Sequence, residues 1–170
     1  DPLWRAREQG RFLARHFQLL KEAGFNSVRI NLHAFRHMDR DQGWALRAPW
    51  FDTLDWAVKS ATEQGLMVIL DFHEFQGMGD DPEGNKEKFL ALWRQLSEHC
   101  RSAPSQVVFE ILNEPSKKLT PALWNGYLAE ALGVPEGTIK SRLNRGRIAL
   151  AQRLARHPAR REMQPCRLAV

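Results

Sequence analysis

Val107-Val108-Phe109-Glu110-Ile111-Leu112-Asn113-Glu114-Pro115 is the stretch on which the fold turns. Val107, Val108 and Phe109 are β-branched or aromatic, and the apolar run is too short for a helix without caps, so it reads as a buried strand over Val107–Leu112. Pro115 cannot donate to a sheet ladder and closes the strand. Glu114 therefore lies where a strand ends and a loop begins, beside the amide of Asn113. In a parallel barrel that end of a strand is where functional side chains gather.

Two earlier segments share this grammar. Gly24-Phe25-Asn26-Ser27-Val28-Arg29-Ile30 reads as a helix end followed by a strand over Val28–Leu32, and Gly65-Leu66-Met67-Val68-Ile69-Leu70-Asp71-Phe72-His73-Glu74 repeats it with a strand over Met67–Phe72. Each strand follows a helical stripe. Leu13, His16, Phe17 and Leu20 form the first, Leu54, Ala57, Val58 and Ala61 the second, and Phe89, Leu92, Trp93, Leu96 and Cys100 the third. Helices alternating with β-rich strands predict an α/β fold with a parallel sheet. Two longer segments, His33–Pro49 and Glu74–Asn85, follow strands and read as loops, the usual carriers of binding groups.

Together the three strand motifs resemble glycoside hydrolase family 5, the cellulase-like retaining enzymes built on a (β/α)8 barrel. The resemblance covers roughly Trp4 to Trp124 and sets the three strands against the family's second, third and fourth. It implies hydrolysis of β-glucan or cellulose-type O-glycosidic bonds, with Glu114 as the acid/base catalyst. It further implies substrate contacts from Arg29, His73 and Asn113, a β-glycan as substrate, and no cofactor or metal. A retaining glycosidase needs two carboxyl groups about 5–5.5 Å apart. Only the acid/base half is visible, because the family's nucleophile comes from its seventh strand. Glu110 reads as the ion-pair partner of a strand cation such as Arg29, and Glu74 as a weaker nucleophile candidate. Arg29 itself could be a structural ion-pair former. Asp71 could fix the tautomer of His73 or form a buried structural pair. His33 is open between loop packing and substrate contact, and Trp44 and Trp50, in a post-strand loop where indoles can stack on sugar faces, read as lid packing first.

At 170 residues the chain is of one-domain size, and 43% hydrophobic residues suffice for a core. A complete (β/α)8 barrel needs roughly 200 residues or more, so the expected architecture is a partial TIM barrel. The chain begins at Asp1 without a Met and reads as a piece of something longer or a processed form. Self-association that completes the barrel is a further expectation. Two cysteines, Cys100 and Cys166, make neither a disulfide framework nor a zinc motif. No apolar run is long enough to span a membrane.

The charge is unevenly spread. Residues 139–170 hold nine basic residues against the single acid Glu162, whereas the preceding residues hold sixteen basic against nineteen acidic. From Gly126 the segment Tyr127–Arg147 is similar to region 4 of extracytoplasmic-function sigma factors, whose helix-turn-helix reads promoter DNA. Leu128–Leu132 reads as a short helix, Gly133 as the turn, and Pro135 as the start of a second helix striped by Ile139, Leu143, Leu150 and Leu154. That resemblance implies DNA contacts from Lys140, Arg142, Arg145 and Arg147 and, as an alternative function, a transcription-related protein. Non-specific nucleic acid binding through the basic tail is also expected. The expected domains are a partial barrel over 1–124, the helix-turn-helix-like segment over 125–157, and a disordered basic tail over 158–170. Localisation is open: secreted if the hydrolase origin dominates, cytoplasmic if the sigma-like one does.

Overall fold

Helix, glycine turn, strand is the unit from which the architecture is built, and it occurs twice in succession in the computed structural model, which describes residues 10–156. α1 (Ala14–Glu22) ends in a turn at Gly24 and leads to β1 (Ser27–Leu32), while α2 (Ala48–Glu63) ends at Gly65 and leads to β4 (Met67–Phe72). Gly24 and Gly65 have φ of 88° and 69°, left-handed values that only glycine takes without a Cβ clash. In both turns the next residue's amide reaches back to a helix carbonyl, Phe25 to Leu20 at 3.1 Å and Leu66 to Ala61 at 3.2 Å. The turn thereby satisfies orphan carbonyls and aims the chain into the sheet.

Between β1 and α2 the expected loop folds into a short antiparallel hairpin, β2 (Met38–Asp39) and β3 (Ala45–Leu46), with a 3-10 turn on either side of β2. After β4 the expected loop becomes α3 (Phe75–Asp80) and the first turn of α4 (Pro82–His99), which Asp81 caps by accepting from Gly84 N at 3.0 Å. β5 (Val107–Glu110) completes the parallel sheet in the order β1-β4-β5. β5 ends two residues earlier than the sequence suggests. Leu112 leaves the ladder to bury in the core, while the Asn113 amide still reaches Phe72 O at 3.0 Å.

Alternation gives this sheet two unlike faces. Ile30 and Leu32 of β1, with Val68, Leu70 and Phe72 of β4, bury against Phe17 of α1, Leu54, Ala57 and Ala61 of α2, and Phe89, Leu92 and Leu96 of α4. Each such aliphatic or aromatic side chain contributes roughly 1.5–3 kcal/mol on burial, enough to make this layer the source of stability. The opposite face carries Arg29, Asn31, Ile69, Asp71, Val108 and Glu110. The register sets Asn31, Asp71 and Glu110 side by side in one row.

α5 (Pro121–Leu132) starts where Thr120 caps Leu123 N at 3.3 Å, and it lays Tyr127 on the core. It runs unbroken across residues 124 and 125, where the sequence reading divides the chain. A turn at Gly133 joins α5 to α6 (Glu136–Arg156), and Leu128, Ala129 and Ile139 bury together between them. The expected basic tail from residue 158 lies outside the described residues. Among the described residues no helix is long and apolar enough to cross a membrane.

Candidate active site

Row partners Asp71 and Glu110, with Arg29 two residues before Asn31 on β1, start the site. Arg29 Nε donates to Glu110 Oε2 at 2.8 Å and Nη2 donates to Glu110 Oε1 at 2.7 Å, a fork-to-fork pair across the face. The same Nη2 reaches Asn113 Oδ1 at 2.8 Å and lies 3.1 Å from Asp71 Oδ2. Hydrogen bonding to Arg29 holds the Glu110 carboxyl below its ordinary range, and the bond to Glu110 raises the Arg29 guanidinium in turn. Both side chains are more than one third exposed, so water screens the pair to roughly the 0.2–1 kcal/mol of a surface bridge. Its value is geometric: it fixes the guanidinium.

A guanidinium only donates, so the Asn113 oxygen must face it, and the Asn113 NH2 is turned away as a free donor direction. Asn113 is buried and its backbone is tied to β4, which holds that direction steady.

Asp71 is completely buried. Its Oδ2 lies 2.5 Å from His73 Nδ1 as well as 3.1 Å from Arg29, while its Oδ1 has no hydrogen-bond partner among the described residues. An unmet buried acceptor costs roughly 1–3 kcal/mol. A strand position would more cheaply hold an apolar residue, and the contacts of the Asp71 carboxylate run through its other oxygen. His73 lies just past β4 and is half-buried, with the ring of His33 edge-on at 5.5 Å and that of Phe75 at 5.3 Å.

Glu114 is exposed and follows directly on Asn113. Its charge acts on Arg29, adding to the effects that raise the guanidinium. Its φ of 42° is left-handed for a residue with a Cβ, and the following Pro115 already disfavours helical backbone there. Downstream anchors impose that conformation. Lys118 N donates to Gly79 O at 3.0 Å, Lys117 Nζ pairs with Asp80 Oδ1 at 2.6 Å, and Leu119 is buried. The close approach needs the bare Gly79, where a Cβ would meet Ser116 O at 3.1 Å.

Arg29, His73 and Asn113 thus converge in one hydrogen-bonded network with Asp71 and Glu110. Glu74 is used elsewhere: its Oε1 accepts from Phe35 N at 3.3 Å. Trp44 is held against α4, with Gln95 Nε2 on its carbonyl at 2.9 Å and Lys88 Nζ 4.9 Å from its ring, and Trp50 packs edge-on to Phe51. Burial lowers the Lys88 ammonium, which also lies 4.5 Å from the Phe35 ring. Neither Lys88 nor Gln95 carries a sequence signal, because the contacts that tie them to Phe35, Trp44 and Leu46 span more than forty residues. In the sequence Asp71 stands out only as a neighbour of His73; its link to Arg29 comes from the strand register. No group of three His, Cys, Asp or Glu side chains among the described residues could hold a metal ion.

Lys140, Arg142 and Arg145 are exposed on α6 and belong to another part of the molecule, and the Arg147 side chain is outside what is described. No comparison supports a DNA-reading helix-turn-helix here.

The cellulase family, glycosyl hydrolase family 5, matches residues 9–140 and so runs into the segment that the sequence reading assigned to a second origin. Endoglucanase A of Clostridium longisporum is 32% identical over 120 residues, 68% of this chain and 23% of that protein. Endoglucanase H of Acetivibrio thermocellus is 28% identical over 105 residues, 62% of this chain and 12% of that protein. Among solved structures, Cel5A of Thermotoga maritima with mannotriose superposes with a TM-score of 0.68 at 36% identity, covering 72% of this chain and 40% of that one. The same enzyme with cellobiose gives 0.68 at 37% identity over the same shares. The chain spans well under half the length of these relatives, and its sheet matches part of their barrel. It belongs to the cellulase family, glycosyl hydrolase family 5.

Proposed function

We propose that this chain supplies the acid/base half of a retaining β-glycosidase site acting on β-1,4-linked glucans. The observation that carries the reading is the convergence of Arg29, from the middle of β1, with His73 and Asn113, which follow the C-terminal ends of β4 and β5. Glu114 lies directly beside Asn113. Glu114 donates a proton to the departing glycosidic oxygen and later takes one from water. Asn113 offers its NH2 to a sugar hydroxyl, Arg29 holds Asn113 in that orientation, and His73 contacts a further hydroxyl.

The nucleophile is the missing half. Among the described carboxylates near the network, Glu110 is bound by Arg29, Asp71 is buried, and Glu74 is bonded to the Phe35 backbone. Turnover therefore needs a carboxylate from outside the described residues, in additional chain or in a second copy that closes the barrel. The test is hydrolysis of an aryl β-cellobioside by the purified 170-residue chain and by its Glu114→Gln variant. Little turnover is expected from the chain alone, and any real turnover should fall by a factor of about 10²–10⁴ in the variant, the usual contribution of acid/base catalysis. Equal rates would remove Glu114 from the mechanism, and robust activity of the chain as a monomer would refute the missing nucleophile.

A second reading rests on the exposed Lys140, Arg142 and Arg145 of α6, which follow a two-helix turn. Those cations give salt-sensitive affinity for any polyanion, so bare binding decides nothing. A promoter-like duplex and a scrambled one, compared at physiological salt, are expected to bind about equally. A preference of roughly 10³-fold or more would make the segment a reader of DNA.

A further inference from the structure

We infer that Asp71 is a positioning residue that holds His73 as its Nδ1–H tautomer, so that Nε2 is presented as a hydrogen-bond acceptor to a sugar hydroxyl. The inference rests on the glycosidase reading above for its ligand, but its geometry stands independently. Asp71 is wholly buried, so a saccharide cannot touch it and any effect it has must pass through a neighbour. Its Oδ2 is shared by two groups from different strands, Arg29 Nη2 at 3.1 Å and His73 Nδ1 at 2.5 Å.

That sharing settles the imidazole. Asp71 Oδ2 faces the Arg29 guanidinium at 3.1 Å, a group with donors only, so this oxygen is on the accepting side of its contacts. The proton of a neutral His73 must then lie on Nδ1, between ring and carboxylate. Nε2 is left with a lone pair and has no hydrogen-bond partner among the described residues. An acceptor at this point complements the donor set by Asn113, whose NH2 is turned outward because its oxygen is held by the same Arg29 Nη2. One guanidinium nitrogen and one buried carboxylate thus order a donor and an acceptor for neighbouring hydroxyls. Each hydroxyl can serve either partner, so the fixed polarity of the two protein groups decides the direction of the bonds.

The test is ¹⁵N NMR of histidine-labelled full chain at a pH where imidazole is neutral, with His73 assigned by its loss in a His73→Gln variant. The wild-type spectrum should show His73 with a protonated Nδ1 and a bare Nε2; a protonated Nε2 overturns the inference without any variant. Asp71→Asn keeps an acceptor oxygen and should retain the tautomer, whereas Asp71→Ala should let Nε2–H forms appear. An unchanged tautomer in a folded Asp71→Ala also overturns it. If Asp71→Ala does not fold, the wild-type and Asp71→Asn spectra decide. Cellotriose is then added. The wild-type Nε2 signal should move upfield, and Asp71→Ala should bind about tenfold more weakly, the value of one hydrogen bond. A correct tautomer that cellotriose leaves unmoved overturns the glycan reading, and with it the hydroxyl contact, but not the hold of Asp71 on the ring.

Discussion

The two faces of the β1-β4-β5 sheet come from the same sixteen strand positions yet follow opposite rules. On the helix-covered face Ile30, Leu32, Val68, Leu70 and Phe72 are buried among apolar neighbours, and any side chain of similar size and shape would serve. On the other face Arg29, Asp71 and Glu110 are joined atom to atom, and a change of one atom type breaks the arrangement. The comparison separates what makes this chain fold from what makes it able to act. One face is tolerant in identity and costly in volume; the other is tolerant in volume and strict in chemistry.

Breaking the covered face gives the largest expected effect. Leu70→Ala, at a position with no exposure, should lose about 2–5 kcal/mol in urea denaturation, because a cavity is added to the lost transfer energy. A loss below 1 kcal/mol would mean that the layer is less well packed than described. Next comes the platform beneath the Glu114 loop. Gly79→Val places methyl groups against Ser116 O and should cost about 1–3 kcal/mol by overpacking, with the amide resonances of residues 113–118 moving most. Unmoved resonances there would show that α3 does not hold the loop.

The site face should respond less in stability and more in pH. Glu110→Gln removes the charged partner of Arg29 and is expected to cost about 1 kcal/mol or less, given the exposure of the pair. The carboxyl of Glu110 is depressed in the folded state. Its contribution is therefore present above the unfolded value of about 4.3 and is lost as pH falls through the lower folded value. The gap between wild type and variant should close on acidification from neutral pH to below 4.3. A gap that widened would reverse the sign assigned to the pair. Smallest of all, Lys140→Ala on exposed α6 should change stability by no more than about 0.5 kcal/mol.

The same contrast explains how far the sequence could be read. The covered face announced itself through period and propensity: the stripes Leu54/Ala57/Ala61 and Phe89/Leu92/Leu96 and the runs at β1 and β4 all reappear where expected. The Arg29–Glu110 pair was accessible too, since strand parity and opposite charge suffice. Other features had no local signal. Phe75–Asp80 carries two glycines, so intrinsic propensity argues against the helix that tertiary packing of Met78 and Gly79 imposes. The β2–β3 hairpin has two-residue strands, too short for alternation to register, and it is fastened by Gln95 from α4. Asp71 looked like one half of a local pair with His73, and only the register revealed Arg29 at its other side. At the other end, the turn at Gly133 and the helices around it were legible; the division at residues 124 and 125 was placed inside a helix, and the family match runs past it to residue 140.

The left-handed backbone at Glu114 has a consequence for how this position can change. A residue with a Cβ pays roughly 1–2 kcal/mol to sit there, and glycine does not. Selection for a sturdier fold alone would therefore replace Glu114 by glycine, and Glu114→Gly should melt higher than the parent while ending any proton transfer proposed for it. Thermal robustness and chemistry compete for one residue. In a lineage where the chemistry had lapsed, position 114 is where drift toward glycine would first be visible.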